Sequence, residues 1–367
     1  MDANIIVILF GMFIFSFSKF GIEGRRVVTE GRLRYSTAKT IHGDIYDCVD
    51  RTSQPGFKEA ALLKTLQRFN NQSVNVTSKH KGFDLDKIWE GKRCPTGTVP
   101  IPRKTGNINP IPIPTLNQSL AYQGGTEFAG IVVNQPGLTG AYAQIALWNP
   151  QPVNPGQFSA ASILIENGLD VIEAGWIVHP DLYGDTRTRL YTAWRSARGG
   201  SYNTDNPGFI LFSDEIPLNY VFPRTSNKAK ERDQFSLMIQ VGDVAGNWYL
   251  TVNDIDLGYW RAAVVPNLSK SGTTIRFGGQ VYNHPPVQQD SPPMGSGTYA
   301  GDNPTKTNYM QHVTVLLNEF KPPPSYQKVE SRCYFTGSDG YHGLNGIDAF
   351  HFLFGGTGGH DRTTCYY

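Results

Sequence analysis

The 367-residue chain reads as an all-β protein, an antiparallel β-sandwich preceded by a small N-terminal domain. Three observations predict this. Aromatic residues make up 12% of the chain beside 39 Gly and 24 Pro, the composition of many short strands joined by turns. Short apolar runs recur from about residue 120 onward, many separated by turn signals such as Asn154-Pro155-Gly156 and Asn206-Pro207-Gly208. No window carries the capped, 3.6-residue periodicity of a long amphipathic helix. At 39% hydrophobic and 17% charged, the chain suits one or two domains with apolar cores and is too apolar for a disordered tail. A formal charge of +2 gives no electrostatic case for nucleic acid or an anionic membrane.

The N-terminus carries an apolar run, Ile5 to Phe17, that fits a signal-peptide h-region and is short for a membrane span. Ser16 and Ser18 put small residues where a signal peptidase needs them, so residues 1–18 are expected to be removed, leaving 19–40 as an extension. An uncleaved anchor is the alternative, because Asp2 is the one charged residue ahead of the run. No later stretch of 18 apolar residues occurs, so the mature chain is expected to be secreted, outside the cell or in an acidic secretory compartment, and free of membrane. Sequons at Asn71, Asn75, Asn117 and Asn267 agree with that route and are candidate glycan acceptors, whereas Pro304 excludes Asn303.

Four cysteines, Cys48, Cys94, Cys333 and Cys365, read as two disulfides with three possible connectivities. They lie as two pairs at opposite ends of the chain, so Cys48–Cys94 with Cys333–Cys365 is the economical pairing. No Cys-x-x-Cys or His-x-x-x-His spacing points to a metal, and no cofactor is implied. The eight histidines read as ordinary loop or strand residues.

Residues 41–105 form a first unit, with one plausible helix near Phe57 to Phe69. Residues 106–119 include Pro110-Ile111-Pro112-Ile113-Pro114, which cannot pair as a central strand and reads as either an exposed, cleavable linker or a plain connector. Residues 120–367 form the sandwich. Its candidate strands are Ala143–Trp148, Phe158–Ile165, Asp170–Val178, Arg189–Trp194, Gly208–Phe212, Phe235–Val241, Trp248–Val252, Thr274–Tyr282, His312–Leu317 and Phe350–Phe354.

Two strands hold the residues that suggest chemistry. In Val171–Val178, period-2 alternation puts Ile172, Ala174, Trp176 and Val178 on one face and Val171, Glu173, Gly175 and Ile177 on the other. Glu173 is thus a carboxylate among apolar neighbours. Burial would raise its pKa, and such groups concentrate at functional sites; an edge-strand Glu reaching water is the bland alternative. In Ile275–Tyr282, Arg276, Gly278, Gln280 and Tyr282 share a face, and the two glycines Gly278 and Gly279 signal a bulge or a close backbone approach, such as a polypeptide substrate requires. A solvated Gln280 beside a plain bulge is the alternative. Serine-nucleophile, catalytic-cysteine and phosphate-loop signatures are absent, and Met294-Gly295-Ser296-Gly297 reads as a turn.

Several of these segments together resemble the neprosin family of plant glutamic peptidases. They are Ile172-Glu173-Ala174-Gly175-Trp176, Pro180-Asp181-Leu182-Tyr183-Gly184-Asp185, Thr188-Arg189-Leu190-Tyr191-Thr192-Ala193-Trp194, Gly258-Tyr259-Trp260, Phe277-Gly278-Gly279 and Met294-Gly295-Ser296-Gly297, in the family's order. Tyr46-Asp47-Cys48-Val49-Asp50 and Cys94-Pro95-Thr96-Gly97 resemble the activation peptide that precedes the peptidase domain. The resemblance implies a zymogen, acid activity on polypeptides with cleavage after proline, a prodomain bound in cis, and two catalytic glutamates. The first falls on Glu173. At the second this chain has Gln280, which cannot exchange a proton but can donate hydrogen bonds to an oxyanion, as the Glu/Gln pair of the eqolisin-like β-sandwich peptidases does. Three expectations therefore stand together: a peptidase with Glu173 as base and Gln280 as oxyanion donor, a pseudo-peptidase that keeps the cleft for binding, and replacement of the lost carboxylate by Asp214 or Glu215. The family's cysteine-bridged loop is also missing, its place taken by Gly199-Gly200-Ser201-Tyr202-Asn203.

Overall fold

The structure, a computed structural model, describes residues 27–29, 32–54, 88–103, 125–226, 233–242, 245–284, 290–301, 306–340 and 349–359. Two antiparallel sheets pack face to face. The first has seven strands in the order β10 (Gly199–Tyr202), β9 (Arg189–Ser196), β8 (Asp170–Val178), β7 (Gln157–Asn167), β15 (Gly272–Asn283), β5 (Gly125–Leu138) and β18 (Gln327–Val329). The second runs β11 (Phe209–Leu211), β14 (Ile255–Trp260), β13 (Trp248–Val252), β12 (Gln234–Val241), β6 (Gly140–Ala146), β16 (Asn308–Leu316), β20 (His351–Gly355) and β19 (Phe335–Gly340), with β17 (Phe320–Lys321) paired to β16. The antiparallel sandwich expected from the sequence is the observed fold.

Alternation decides what each strand buries. Ile172, Ala174 and Trp176 of β8 and Ile275, Phe277 and Val281 of β15 point into the shared core, where they meet Ala143, Ile145, Leu237 and Ile239 of the second sheet. The indole N–H of Trp176 donates to the carbonyl of Ala146 at 2.8 Å, so the largest buried side chain of β8 is also polar-satisfied across the sandwich. The reading of Asp170–Val178 and Trp248–Val252 as strands matches their observed limits. The strand read as His312–Leu317 instead starts at Asn308 and bulges between Gln311 and Thr314, where His312 has a φ of 54°. Sequence reading missed β5, a central strand, because Gly130, Pro136 and Gly137 punctuate it.

The glycine pair in β15 needs a correction. No bulge lies at Gly278 or Gly279; the irregularity falls between Gly272 and Thr274. A Cβ on Gly278 would stand 2.3 Å from the carbonyl oxygen of Ala129 on β5, and one on Gly279 would stand 2.5 Å from the sulfur of Met294. Gly175 of β8 is equally confined, its Cβ falling 2.1 Å from the carbonyl oxygen of Ala161 and 2.7 Å from Cα of Ser162. Close approach of strand to strand therefore demands Gly175 and Gly278, whereas Gly279 makes room for the Met294 side chain on the core side. The register aligns Gly130, Gly278, Ser162 and Gly175 in one row across β5, β15, β7 and β8, ending at Tyr191 of β9. On the outer face this row of minimal side chains floors a trough, with the ring of Phe128 folded over its Gly130 and Gly278 end.

Ahead of the sandwich stands a four-stranded sheet of β1 (Val27–Thr29), β2 (Arg32–Lys39), β3 (Ile45–Asp50) and β4 (Thr98–Pro102). The β2–β3 hairpin straddles residue 40, so this sheet takes in part of the segment assigned to the 19–40 extension. Cys48–Cys94 is a disulfide that ties β3 to the chain just before β4, worth about 3–4 kcal/mol on the chain-entropy view. Ala38, Tyr46, Val49, Ile88, Trp89, Val99 and Ile101 belong to the same apolar cluster as the sandwich core. Polar bonds reinforce this junction. Tyr46 Oη donates to the carbonyl of Leu218 at 3.1 Å, and Trp89 Nε1 to that of Glu215 at 3.2 Å. Gln54 donates to the carbonyl of Leu211 at 2.5 Å and accepts from its N–H at 3.0 Å. Cys333 is buried, while its expected partner Cys365 lies outside the described residues, as do the signal segment 1–18, the helix near 57–69, the 106–119 linker, Asn71, Asn75 and Asn117.

Gly175→Ala is expected to lower stability by about 2 kcal/mol, because overpacking against backbone cannot relax through a rotamer change. Urea unfolding should show a lower midpoint at an unchanged slope; an unmoved midpoint would contradict the close-approach account.

Candidate active site

Glu173 and Gln280, 107 positions apart in sequence, meet on the outer face of the seven-stranded sheet. The pleat explains why. Glu173 on β8 and Gln280 on β15 both point outward, and only β7 separates their strands. Between them the floor carries Ser162 and Gly175, so the two long side chains reach toward each other unobstructed. Glu173 is 4% exposed and Gln280 6%.

One oxygen of Glu173 is saturated. Its Oε1 accepts from Ser162 Oγ at 2.7 Å, from Tyr191 Oη at 2.5 Å and from Gln280 Nε2. Gln280 Nε2 also lies 3.4 Å from Tyr191 Oη. No described residue bonds Oε2, which leaves that oxygen for a water or a substrate. Burial pushes the Glu173 carboxyl above the usual carboxylate range, and the nearby Glu166 adds to this; the bonds from Tyr191 and Ser162 and the charge of Arg195 act against it without cancelling it. The same burial, together with the Glu173 charge, holds the Tyr191 and Tyr202 hydroxyls protonated well above their ordinary value. The arrangement thus supplies a carboxylate of raised basicity, three donors that fix its orientation, and an amide with a second N–H to give.

Sequence reasoning found Glu173 and Gln280 but missed Ser162 and Tyr191. Tyr191 was within reach, since alternation places it outward on the strand beside Glu173. Ser162 carried no signal, being one small residue in an apolar strand. Glu215 and Asp214 are not part of the site. Glu215 sits where Trp89 of the N-terminal sheet docks, its N–H donating to Ser213 Oγ at 3.2 Å, and neither acid bonds Glu173. The missing disulfide of the 199–203 segment is replaced by polar bonds: Asn206 N–H donates to Ser201 Oγ at 2.9 Å, and Asn203 exchanges two bonds with the backbone of Thr192.

Beyond Gln280 the trough ends in an aromatic wall. Phe158 and Tyr282 stack at 5.7 Å, His179 lies 5.5 Å from Phe158, and Tyr202 meets His179 edge-on at 5.8 Å. Met294, the head of the predicted turn, packs beneath Gly279 on the core side. Its turn is closed by the Gly297 N–H bonding the Met294 carbonyl at 3.0 Å. Among the described residues no group of His, Cys, Asp and Glu is arranged to hold a metal.

Comparison with known proteins gives a match to the Neprosin family over residues 155–357. That span holds Ser162, Glu173, Tyr191 and Gln280. Among solved structures, scytalido-glutamic peptidase with a peptide-based transition-state analogue is 8% identical, with a TM-score of 0.36, covering 62% of this chain and 97% of that one. SCP-B, of the eqolisin family, in complex with the tripeptide Ala-Ile-His, is 7% identical with a TM-score of 0.33 and the same coverages. A homodimeric agglutinin from chicken liver follows at 9% identity and a TM-score of 0.24, covering 42% of this chain and 92% of that one. At such scores these likenesses add nothing to the geometry above.

His179 departs from its reading as an ordinary residue. It is fully buried, neither ring nitrogen has a partner among the described residues, and burial lowers its pKa from 6.5 to about 3. The folded protein binds this proton less tightly than the unfolded chain. Its contribution is therefore intact above pH 6.5 and lost as pH falls toward 3. In His179→Phe, which keeps an aromatic ring and cannot protonate, the melting temperature relative to wild type should rise progressively between those limits; a difference constant with pH would refute the account.

Proposed function

We propose that this chain, which belongs to the Neprosin family, is a glutamic-type endopeptidase in which Glu173 is the general base and Gln280 the oxyanion donor. The observation that carries the reading is the convergence of a buried, orientation-locked carboxylate and an amide on the outer face of the seven-stranded sheet. A water at Oε2 gives its proton to Glu173 as its oxygen bonds the substrate carbonyl carbon, and the carbonyl electrons move to oxygen. Gln280 meets that oxyanion with the N–H not spent on Oε1. Collapse breaks the carbon–nitrogen bond, and Glu173 returns the proton to the departing amine. Tyr191 and Ser162 position the carboxylate and need not titrate.

Polypeptides are the substrate class, and the aromatic wall of Phe158, Tyr282 and Tyr202 is the surface to receive a proline ring beside the scissile bond. The N-terminal sheet would serve as the pro-part of a secreted zymogen. The exposure of Asn267, the middle residue of the turn Pro266–Leu268, suits a glycan acceptor on that route.

One observation favours a second reading, a peptide-binding module without turnover. Gln280 touches Oε1 directly, so no water fits between amide and carboxylate at that oxygen. The same experiment separates the two. Purified protein is incubated with proline-containing peptides across acidic to neutral pH. Hydrolysis should follow a single limb, rising with pH through a midpoint above ~4.3, the ordinary glutamate value. Glu173→Gln should cost roughly 10³-fold in kcat/KM. Peptide binding with no hydrolysis at any pH would overturn the enzyme reading. Gln280→Glu should introduce a falling limb at higher pH, since two close carboxyls share a proton and the second must hold it to act as an acid; an unchanged profile would remove Gln280 from the mechanism.

A further inference from the structure

Along β9 the outward positions run Arg189, Tyr191, Ala193 and Arg195. Ala193 lies directly across from Glu173, and Arg195 across from Val171, which makes Arg195 the diagonal neighbour of Glu173 on the same face. On its other side it faces Gly200 of β10, which has no side chain to cover it. The neighbouring arginines of this face are neutralised. Arg189 closes on Asp44 at 3.0 Å and Asp185 at 2.6 Å, and Arg276 closes on Glu166. Arg195 is half-buried, forms no ion pair with a described residue, and has its Nε sealed from solvent without a partner. The terminal nitrogens of its guanidinium are not sealed in this way and have no partner among the described residues, so they are the part an incoming carboxylate could meet.

The two ends of the trough therefore differ in charge. Tyr282, Phe158 and His179 close it on the Gln280 side with neutral aromatic surface, and Arg195 stands at the other end beyond Glu173. Diagonal cross-strand neighbours lie about 7–8 Å apart, the reach of roughly two extended residues. We propose that Arg195 forms an acidic subsite, selecting peptides that carry a carboxylate, on a Glu or Asp side chain or at the C-terminus, within about two residues of the bond held at Glu173. The guanidinium fork suits such a group through paired N–H···O bonds. The subsite deepens the peptidase reading by naming a substrate class.

Binding tests it without relying on turnover. Fluorescent proline-containing peptides that differ only in Glu against Gln two residues from the proline, on either side, are titrated into the full Glu173→Gln chain. A matching pair with a free or an amidated C-terminus distinguishes the source of the carboxylate. One acidic peptide is expected to bind about tenfold more tightly than its neutral twin. Arg195→Lys should keep part of that preference, Arg195→Gln should abolish it, and Arg195→Glu should transfer it to a Lys peptide, with melting curves confirming that each variant is folded. Equal affinity for all twins, or a preference that survives in Arg195→Gln, overturns the subsite. Turnover by the wild-type chain with no acidic preference would remove the subsite and leave the peptidase, whereas acidic preference without turnover would do the reverse.

Discussion

The chemistry of this molecule rests on the cost of keeping one carboxylate out of water in the middle of a sheet. Glu173 is affordable there because three donors from three different strands converge on a single one of its oxygens. Around it the strands pack so that a Cβ at Gly175 or Gly278 would strike the neighbouring backbone. Backbone packing and acid–base character are thus one constraint. Loosening the strands would rehydrate the acid and return it toward an ordinary carboxylate.

The sandwich core and the trough divide the work between the faces of the seven-stranded sheet. Inward residues such as Ile172 and Phe277 pack in the apolar core that holds the two sheets together. Outward residues form a second, smaller aromatic cluster around Phe158, Tyr191 and Tyr202 that walls the site. The ionic cluster of Asp44, Asp185, Arg187 and Arg189 joins that wall to the N-terminal sheet. Any movement of the N-terminal sheet would accordingly be felt at the strand that carries Tyr191.

Much of this was legible in the sequence wherever period-2 alternation was clean. Glu173 stood out because it interrupts a strand apolar on both sides, and Gln280 because it follows two glycines. The meeting of the two was not legible from spacing, since it depends on β7 lying between β8 and β15. The resemblance to a family supplied that link. The central strand β5 was invisible for the opposite reason: its glycines and Pro136 look like turn punctuation until the close approach to β15 explains Gly130. His179 escaped notice because nothing local distinguishes a buried imidazole from an exposed one. Of the two readings of Gly278 and Gly279, the bulge failed and the close backbone approach held at Gly278, but to a neighbouring strand, which in one dimension looks the same as an approach to a ligand.

The two bonds between the side chain of Gln54 and the backbone of Leu211 have a practical consequence. A sheet's outermost strand presents unused N–H and C=O groups, and here a side-chain amide imitates the next strand and caps them. Tyr46 and Trp89 seal the adjoining carbonyls at Leu218 and Glu215. Recombinant production of residues 120–367 alone would strip this cover and offer the bare border of β11 to other copies, inviting edge-to-edge aggregation. The N-terminal part of the chain is thus the cover of one border of the larger sheet.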